Sequence, residues 1–268
     1  MILLKDMANI ITITDVSDDR LALYRDVKDR DLTGREGLFM AEGKVVLERL
    51  FRSKLCVCTS VLTTPERLKN LDISYVSDDI PVFVVPQEVM DAVAGFVIHR
   101  GYLALARYQP PLNLTDVLTG KSRVRVMVLS AIANTDNMGG LMRNAAAFGV
   151  DAVLLDQTCC DPLYRKAIRV SVGGVFQVPH FRLGKDENLV DVLHSHNLTP
   201  YALSPAGAMT LDAIIPATRS ACIFGAEGAG LPSDIMAACT TVQIPMSGGF
   251  DSLNVATTSG IVLYHMCR

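Results

Sequence analysis

Three stretches hold the residues whose types and spacing could do chemistry. Residues 221–232 read Ala-Cys-Ile-Phe-Gly-Ala-Glu-Gly-Ala-Gly-Leu-Pro, and residues 243–256 read Gln-Ile-Pro-Met-Ser-Gly-Gly-Phe-Asp-Ser-Leu-Asn-Val-Ala. In each, an apolar run of strand formers ends in a glycine-rich loop and a helix-like segment follows. Loops at the carboxyl ends of parallel strands are where open α/β sheets bind ligands. Glu227 is the only charged residue between Ser220 and Ser233. A carboxylate alone among glycines either meets a ligand or stands in water at a loop tip. The third stretch, residues 134–149, reads Asn-Thr-Asp-Asn-Met-Gly-Gly-Leu-Met-Arg-Asn-Ala-Ala-Ala-Phe-Gly. Arg143 is its only charge between Asp136 and Asp151. A lone guanidinium on an uncharged helix points to anion binding, with a salt bridge to a neighbouring acid as the alternative. Gly225, Gly228 and Gly230 do not have G-x-G-x-x-G spacing, and no Lys follows them as in a P-loop. They serve some other close approach of backbone to ligand.

The elements that must position these stretches can be read around them. Residues 124–130, 151–156 and 199–204 read as strands, and 136–148 and 232–239 as helices. From residue 252 the chain reads helical and apolar nearly all round, which predicts burial in the fold or in a subunit contact. Asp161-Pro162 opens a helix-like stretch carrying Arg165, Lys166 and Arg169, readable as a phosphate track or as a solvated face. In the amino-terminal half, a mixed-charge helix runs from Ser17 or Asp18 to about Lys28. Strands at 38–41, 55–62, 81–86 and 102–108 alternate with helices at 42–51 and 87–93. Such alternation predicts a compact α/β sandwich. Residues 109–119, with Pro110-Pro111, read as a linker.

The chain has 268 residues, half of them hydrophobic, which is enough for one large or two ordinary domains with substantial cores. No apolar run reaches membrane-span length, and charges at Lys5 and Asp6 make the start a poor signal peptide. The seven cysteines include no C-x-x-C, so they read as reduced thiols of a cytoplasmic protein rather than as metal ligands. A net charge of −3, with neither half basic, means that a nucleic-acid partner would need local basic patches or a dimer that joins them.

Residues 134–149, 224–231 and 244–255, in that order, resemble the three motifs of the SpoU/TrmH family of S-adenosylmethionine-dependent RNA 2′-O-ribose methyltransferases. The resemblance implies an α/β fold of two parts. An L30e-like RNA-binding domain spans residues 1–112. A methyltransferase domain at 113–268 has a parallel sheet and a deep carboxyl-terminal trefoil knot. The pieces that resemble the L30e-like domain are residues 38–43 and 99–105. The resemblance also implies S-adenosylmethionine as cofactor, a homodimer through the carboxyl-terminal domain, and no metal. It places Gly225, Ile244, Leu253, Met246 and Gly248 around the methyl donor. It puts Arg143 at the 2′-hydroxyl, with Glu227, Asn134, Ser252 and Asn254 as the polar shell. Arg30, Arg35, Lys44, His99, Arg100, Arg165, Lys166 and Arg169 are the candidate RNA contacts. Asp251 departs from the Glu or Ser expected before Ser-Leu-Asn. A catalytically silent RNA-binding protein on the same fold is the rival reading. A nucleotide-dependent oxidoreductase lacks its fingerprint.

Overall fold

The structure, a computed structural model, describes residues 9–25, 28–94, 101–111, 113–226, 228, 230–248 and 251–267. The chain forms two compact units. The first comprises Met1–Gln109 together with Leu163–Phe176, and the second Pro110–Pro162 with Gln177–Arg268.

In the first unit the elements are β1 (Asn9–Thr12), α1 (Asp29–Arg35), β2 (Phe39–Glu42), α2 (Lys44–Phe51), β3 (Cys56–Thr63), α3 (Pro65–Leu68), β4 (Pro81–Val84), α4 (Gln87–Ala94) and β5 (Tyr102–Tyr108). They build a five-stranded sheet in the order β1-β4-β3-β5-β2. β1, β4 and β3 are parallel, whereas β3–β5 and β5–β2 are antiparallel. Leu21, Leu32, Met40, Leu62, Met90 and Leu103 form its buried core. The helix expected from residue 18 to about 28 is instead a single 3-10 segment, Asp19–Tyr24, capped by Asp18, and α1 starts separately at Asp29.

Leu163–Phe176 departs from the expected domain division, because it packs within the first unit. Phe176 stacks on Phe39 with ring centroids 5.4 Å apart. Ser53 donates to the Phe176 carbonyl at 2.7 Å, and Arg49 to the Val172 carbonyl at 2.6 Å. Sequence adjacency to the second unit loses here to burial of an aromatic pair and to satisfied carbonyls.

The second unit holds α5 (Leu114–Leu118), β6 (Val124–Leu129), α6 (Thr135–Ala147) and β7 (Ala152–Leu155). The chain then passes through α7 (Arg165–Val170), which lies in the segment of the first unit. It returns as β8 (His180–Arg182), α8 (Leu189–Ser195), β9 (Thr199–Leu203), β10 (Met209–Thr210), β11 (Arg219–Phe224), α9 (Ser233–Ala238), β12 (Thr240–Gln243) and α10 (Val255–Met266). The sheet order is β10-β12-β9-β11-β6-β7-β8, and every pair is parallel. β6 and β11 are almost wholly buried, as strands covered on both faces must be. The expected linker contains α5, because the Asn113 side chain caps it by accepting from the Asp116 amide at 2.9 Å, and Leu114 and Leu118 are buried.

Arg125 is a buried cation that ties the chain end to this sheet. Its guanidinium donates to the carbonyls of Met266 (2.6 Å), Val124 (2.9 Å), Ala217 (2.9 Å) and Thr218 (2.8 Å). The Met266 bond places a positive charge at the carboxyl end of α10, where a helix favours it. Replacing Arg125 with Met would remove the side-chain donor from these carbonyls, of which Thr218 still accepts from the Val124 amide. A loss of about 3 kcal/mol in urea unfolding is expected.

His180 opens β8 and is buried, and burial pushes its pKa down to about 4 from the usual 6.5. The folded state therefore disfavours its protonation. Its contribution to stability is complete above pH 6.5 and is lost as pH falls towards 4. By pH 4 the expected cost is about 3 kcal/mol. Urea midpoints at pH 7 and pH 4 should differ by correspondingly less in His180→Gln. Equal pH dependence in both proteins would refute this.

Candidate active site

A cavity of about 850 Å³ opens at the carboxyl ends of the adjacent strands β12, β9 and β11. Leu203, Phe224 and Val242 belong to the strand ends that line it, and Ile244 and Met246 add apolar wall. Gly225, Ala226, Gly228 and Gly230 come from one glycine-rich loop; Asp251, Ser252, Leu253 and Asn254 come from the other, and Val255 and Thr258 from α10. The structure thus brings together Gly225, Ile244, Met246, Ser252, Leu253 and Asn254 of the expected site. Gly248 has φ +69° and is outside the described lining. Glu227, His99 and Arg100 lie outside the described residues.

Close packing explains two glycines here. A Cβ on Gly225 would stand 2.6 Å from the Gly230 carbonyl carbon and 2.8 Å from the Leu231 nitrogen. A Cβ on Gly207 would stand 2.4 Å from the Val242 carbonyl carbon. In both cases the obstacle is backbone, which cannot rotate out of the way.

The helix that carries Arg143 packs against the helix whose first turn lines the cavity. Asn134 caps α6 by accepting from the amides of Asp136 (2.7 Å) and Asn137 (3.3 Å). Asn254 caps α10 by accepting from Ala256 (2.9 Å) and Thr257 (3.3 Å). Asn254 also donates to the buried Asn137 at 2.8 Å, so the two caps are joined. Further along, the Asn144 amide donates to the Ala256 carbonyl (2.7 Å) and to the Ser259 hydroxyl (2.8 Å). A Cβ on Gly140 would meet that of Ala256 at 2.6 Å, so this seam depends on small residues. Sequence reading named Asn134 and Asn254 but missed Asn137 and Asn144. Their signal was present: amides at positions 137 and 144, seven residues apart and so on one face of the helix.

Arg143 itself is exposed and has no hydrogen bond or ion pair among the described residues. No described acid pairs with it.

Asp156, at the end of β7, was also missed. Its carboxylate accepts from the Ala131 amide (2.7 Å), the Ser130 hydroxyl (2.8 Å), and the amide and hydroxyl of Thr158 (both 2.8 Å). Ala131 has φ +56°, which these bonds help to hold. Partial burial would raise the Asp156 pKa, but the bonds from Thr158 and Ser130 outweigh it and keep it below the usual carboxylate value. The loop leading into α6 is fixed in this way.

The candidate RNA contacts are scattered. Arg30 is exposed, Arg35 lies 3.8 Å from Asp31, and Lys44 lies 3.8 Å from Glu48. Such exposed pairs leave the cations available to phosphate. Arg165 and Arg169 are different. They approach the buried Glu42 at 3.5 and 3.9 Å, and the Arg165 amide donates to Asp29 at 2.9 Å. This charge neutralises a buried acid in the first unit, which corrects a simple phosphate track. Lys166 is exposed on the same helix. Among the described residues no group of three or more His, Cys, Asp or Glu is placed to hold a metal ion, and no helix is long and apolar enough to cross a membrane.

The family model described as the SpoU rRNA Methylase family matches residues 125–264, the stretch that builds the cavity and the α6–α10 seam. The chain belongs to the SpoU family of RNA methyltransferases. It is 35% identical over 272 residues to an uncharacterized tRNA/rRNA methyltransferase of Mycobacterium tuberculosis strain H37Rv, covering 98% of this chain and 93% of that protein. It is 30% identical to the 23S rRNA (guanosine-2′-O-)-methyltransferase RlmB of Acinetobacter baylyi, over 70% of this chain and 79% of the relative. In fold it is similar to an AdoMet-bound rRNA methyltransferase from Sinorhizobium meliloti. That likeness has a TM-score of 0.79 and 20% identity, and covers 97% of this chain and 98% of the other.

Proposed function

We propose that this SpoU-family protein transfers a methyl group from S-adenosylmethionine to a ribose 2′-hydroxyl of RNA, with ribosomal rather than transfer RNA as substrate. The observation that carries this reading is the cavity. Both glycine-rich loops and the first turn of α10 wall it, and the helix bearing Arg143, which has no partner among the described residues, packs on α10. The Acinetobacter relative is a 23S rRNA guanosine-2′-O-methyltransferase, and the Sinorhizobium structure holds AdoMet. The fit to the donor rests on the cavity's volume, its apolar strand ends and the backbone groups around Gly225, where a side chain would intrude.

When bound, S-adenosylmethionine supplies a methyl group on a sulfonium, which is already a good leaving group. The chain's task is positioning. Backbone at Gly225, Ile244 and Leu253 holds the donor, with Met246 and Gly248 beside it. Arg143 keeps its proton at any working pH, so it acts as an electrostatic clamp on the substrate phosphate and the developing alkoxide. The hydroxyl proton goes to a phosphate oxygen or a neighbouring side chain. Glu227, Asn134, Ser252 and Asn254 form the polar shell, and the asparagines do so partly by holding two helix starts together.

The remaining parts of the reading are proposals of the same standing. The first unit, Met1–Gln109 with Leu163–Phe176, serves as an L30e-like RNA-binding domain, and the second unit forms a knotted methyltransferase domain. A homodimer through the latter would cover Ile261 and Tyr264, which are 40% and 53% exposed on the otherwise apolar α10. The protein works in the cytoplasm. Mapping 2′-O-methyl marks in ribosomal and transfer RNA from cells with and without the gene tests the substrate. A mark lost from ribosomal RNA supports the reading. Loss from transfer RNA alone overturns the choice of substrate, and no lost mark favours the silent binder.

A further inference from the structure

We infer that Asp251 makes the cavity discriminate the methyl donor from the spent product by charge. The inference rests on the cofactor assignment above. Among the described residues that line the cavity, Asp251 alone is ionisable; its polar companions Ser204, Ser252, Asn254 and Thr258 are neutral. The positioning roles above make no use of Asp251.

Methyl transfer changes the ligand's charge by one unit. The S–CH3 bond breaks with its electron pair left on sulfur, and the 2′-oxygen forms the new O–CH3 bond. The hydroxyl proton leaves to the acceptor described above. The donor, with a sulfonium, an ammonium and a carboxylate, carries a net charge of +1. The product, a neutral thioether with the same ammonium and carboxylate, carries none. Every contact to the adenosine and to the amino-acid end is common to both ligands. What separates them electrostatically is the sulfonium, and a carboxylate whose described neighbours in the lining are all neutral favours the form that carries it.

Asp251 is exposed, so solvent weakens the effect. Attraction between an exposed carboxylate and a cation in the cavity is expected to change affinity by about fivefold. The same attraction acts on the bound donor more than on the transition state, where the positive charge on sulfur is already fading. The benefit of Asp251 is therefore that donor competes better against product for the cavity, not that the chemical step is faster.

The test is isothermal titration of the full-length protein and of Asp251→Asn with S-adenosylmethionine and S-adenosylhomocysteine. Sinefungin, whose amine restores the positive charge at the sulfur position, serves as a control. The substitution is nearly isosteric and exposed, and a thermal melt of each protein confirms folding. The expected result is a preference for donor over product that falls about fivefold in Asp251→Asn, with sinefungin weakened as the donor is and S-adenosylhomocysteine affinity nearly unchanged. An unchanged preference, or equal weakening of donor and product, overturns the inference, because the carboxylate would then act on the shared ammonium or on the loop. If the unaltered protein binds none of the three ligands, the cofactor assignment itself fails.

Discussion

Replacing Arg143 with alanine is expected to lower the methyl-transfer rate by about a thousandfold, while donor affinity stays within about twofold. The expectation follows from where Arg143 stands. It is on α6, exposed, without a partner among the described residues, and it is not part of the cavity lining. On the proposed reading its removal leaves the cavity lining intact and takes away the guanidinium carried by the helix packed on α10. Arg143→Lys separates two roles. A lysine keeps the charge but not the planar fork, so it should recover only a small part of the rate if Arg143 holds a phosphate through paired bonds. Single-turnover methylation at saturating donor, alongside calorimetric donor binding, reads both numbers. Near-full turnover in Arg143→Lys would show that the bidentate role is wrong. A parallel loss of donor affinity in Arg143→Ala would show that the residue belongs to the donor site instead.

The second large effect is expected at Gly225. An alanine there places a methyl carbon 2.6 Å from the Gly230 carbonyl carbon and 2.7 Å from its oxygen. Contacts that short do not occur between real Cβ atoms and backbone, so the 225–231 loop must open. This loop walls the cavity, and its displacement should weaken donor binding by about a hundredfold, equivalent to roughly 3 kcal/mol. The sheet beneath need not move, so the melting temperature should fall by only a few degrees. Gly34→Ala is the control. It lies in α1, a Cβ there meets nothing within 4 Å, and a helical glycine replaced by alanine gains stability. Donor affinity in Gly225→Ala equal to that of the unaltered protein would mean that the loop does not hold the donor.

Much of the site was legible because its chemistry is local in sequence. Both glycine-rich loops, the strands that precede them and the helices that follow lie within a few residues of each other, so hydrophobic patterning placed the loops at strand ends, while Gly225, Ile244, Met246 and Leu253 were named through the resemblance to the SpoU/TrmH motifs. The apolar character of α10 likewise announced a helix that packs widely, and Val255, Val262, Leu263 and Met266 are buried. The parts that escaped depend on partners far along the chain. β8 and β10, with three and two residues, are too short to carry a periodic signal and exist because longer neighbours offer them hydrogen bonds. Asp156 looks like any acid at a strand end until the donors of Ser130, Ala131 and Thr158 converge on it. Arg165 and Arg169 read as a basic cluster because Glu42, their counter-charge, is more than a hundred residues away. For the same reason the segment Leu163–Phe176 could not be assigned to the first unit from its own composition; the decisive residue, Phe39, belongs to β2.

The central claim is that methyl goes from the bound donor to a sugar oxygen of RNA. The most direct measurement uses purified protein, S-adenosylmethionine with a tritiated methyl group, and ribosomal RNA that has never been modified. After the reaction the RNA is hydrolysed in alkali, which cleaves beside every free 2′-hydroxyl and spares each linkage whose oxygen carries a methyl. The expected result is tritium confined to alkali-resistant dinucleotides, and lost when Arg143 is replaced by alanine. Tritium in mononucleotides, marking a methylated base, or no tritium in the RNA at all, would contradict the claim.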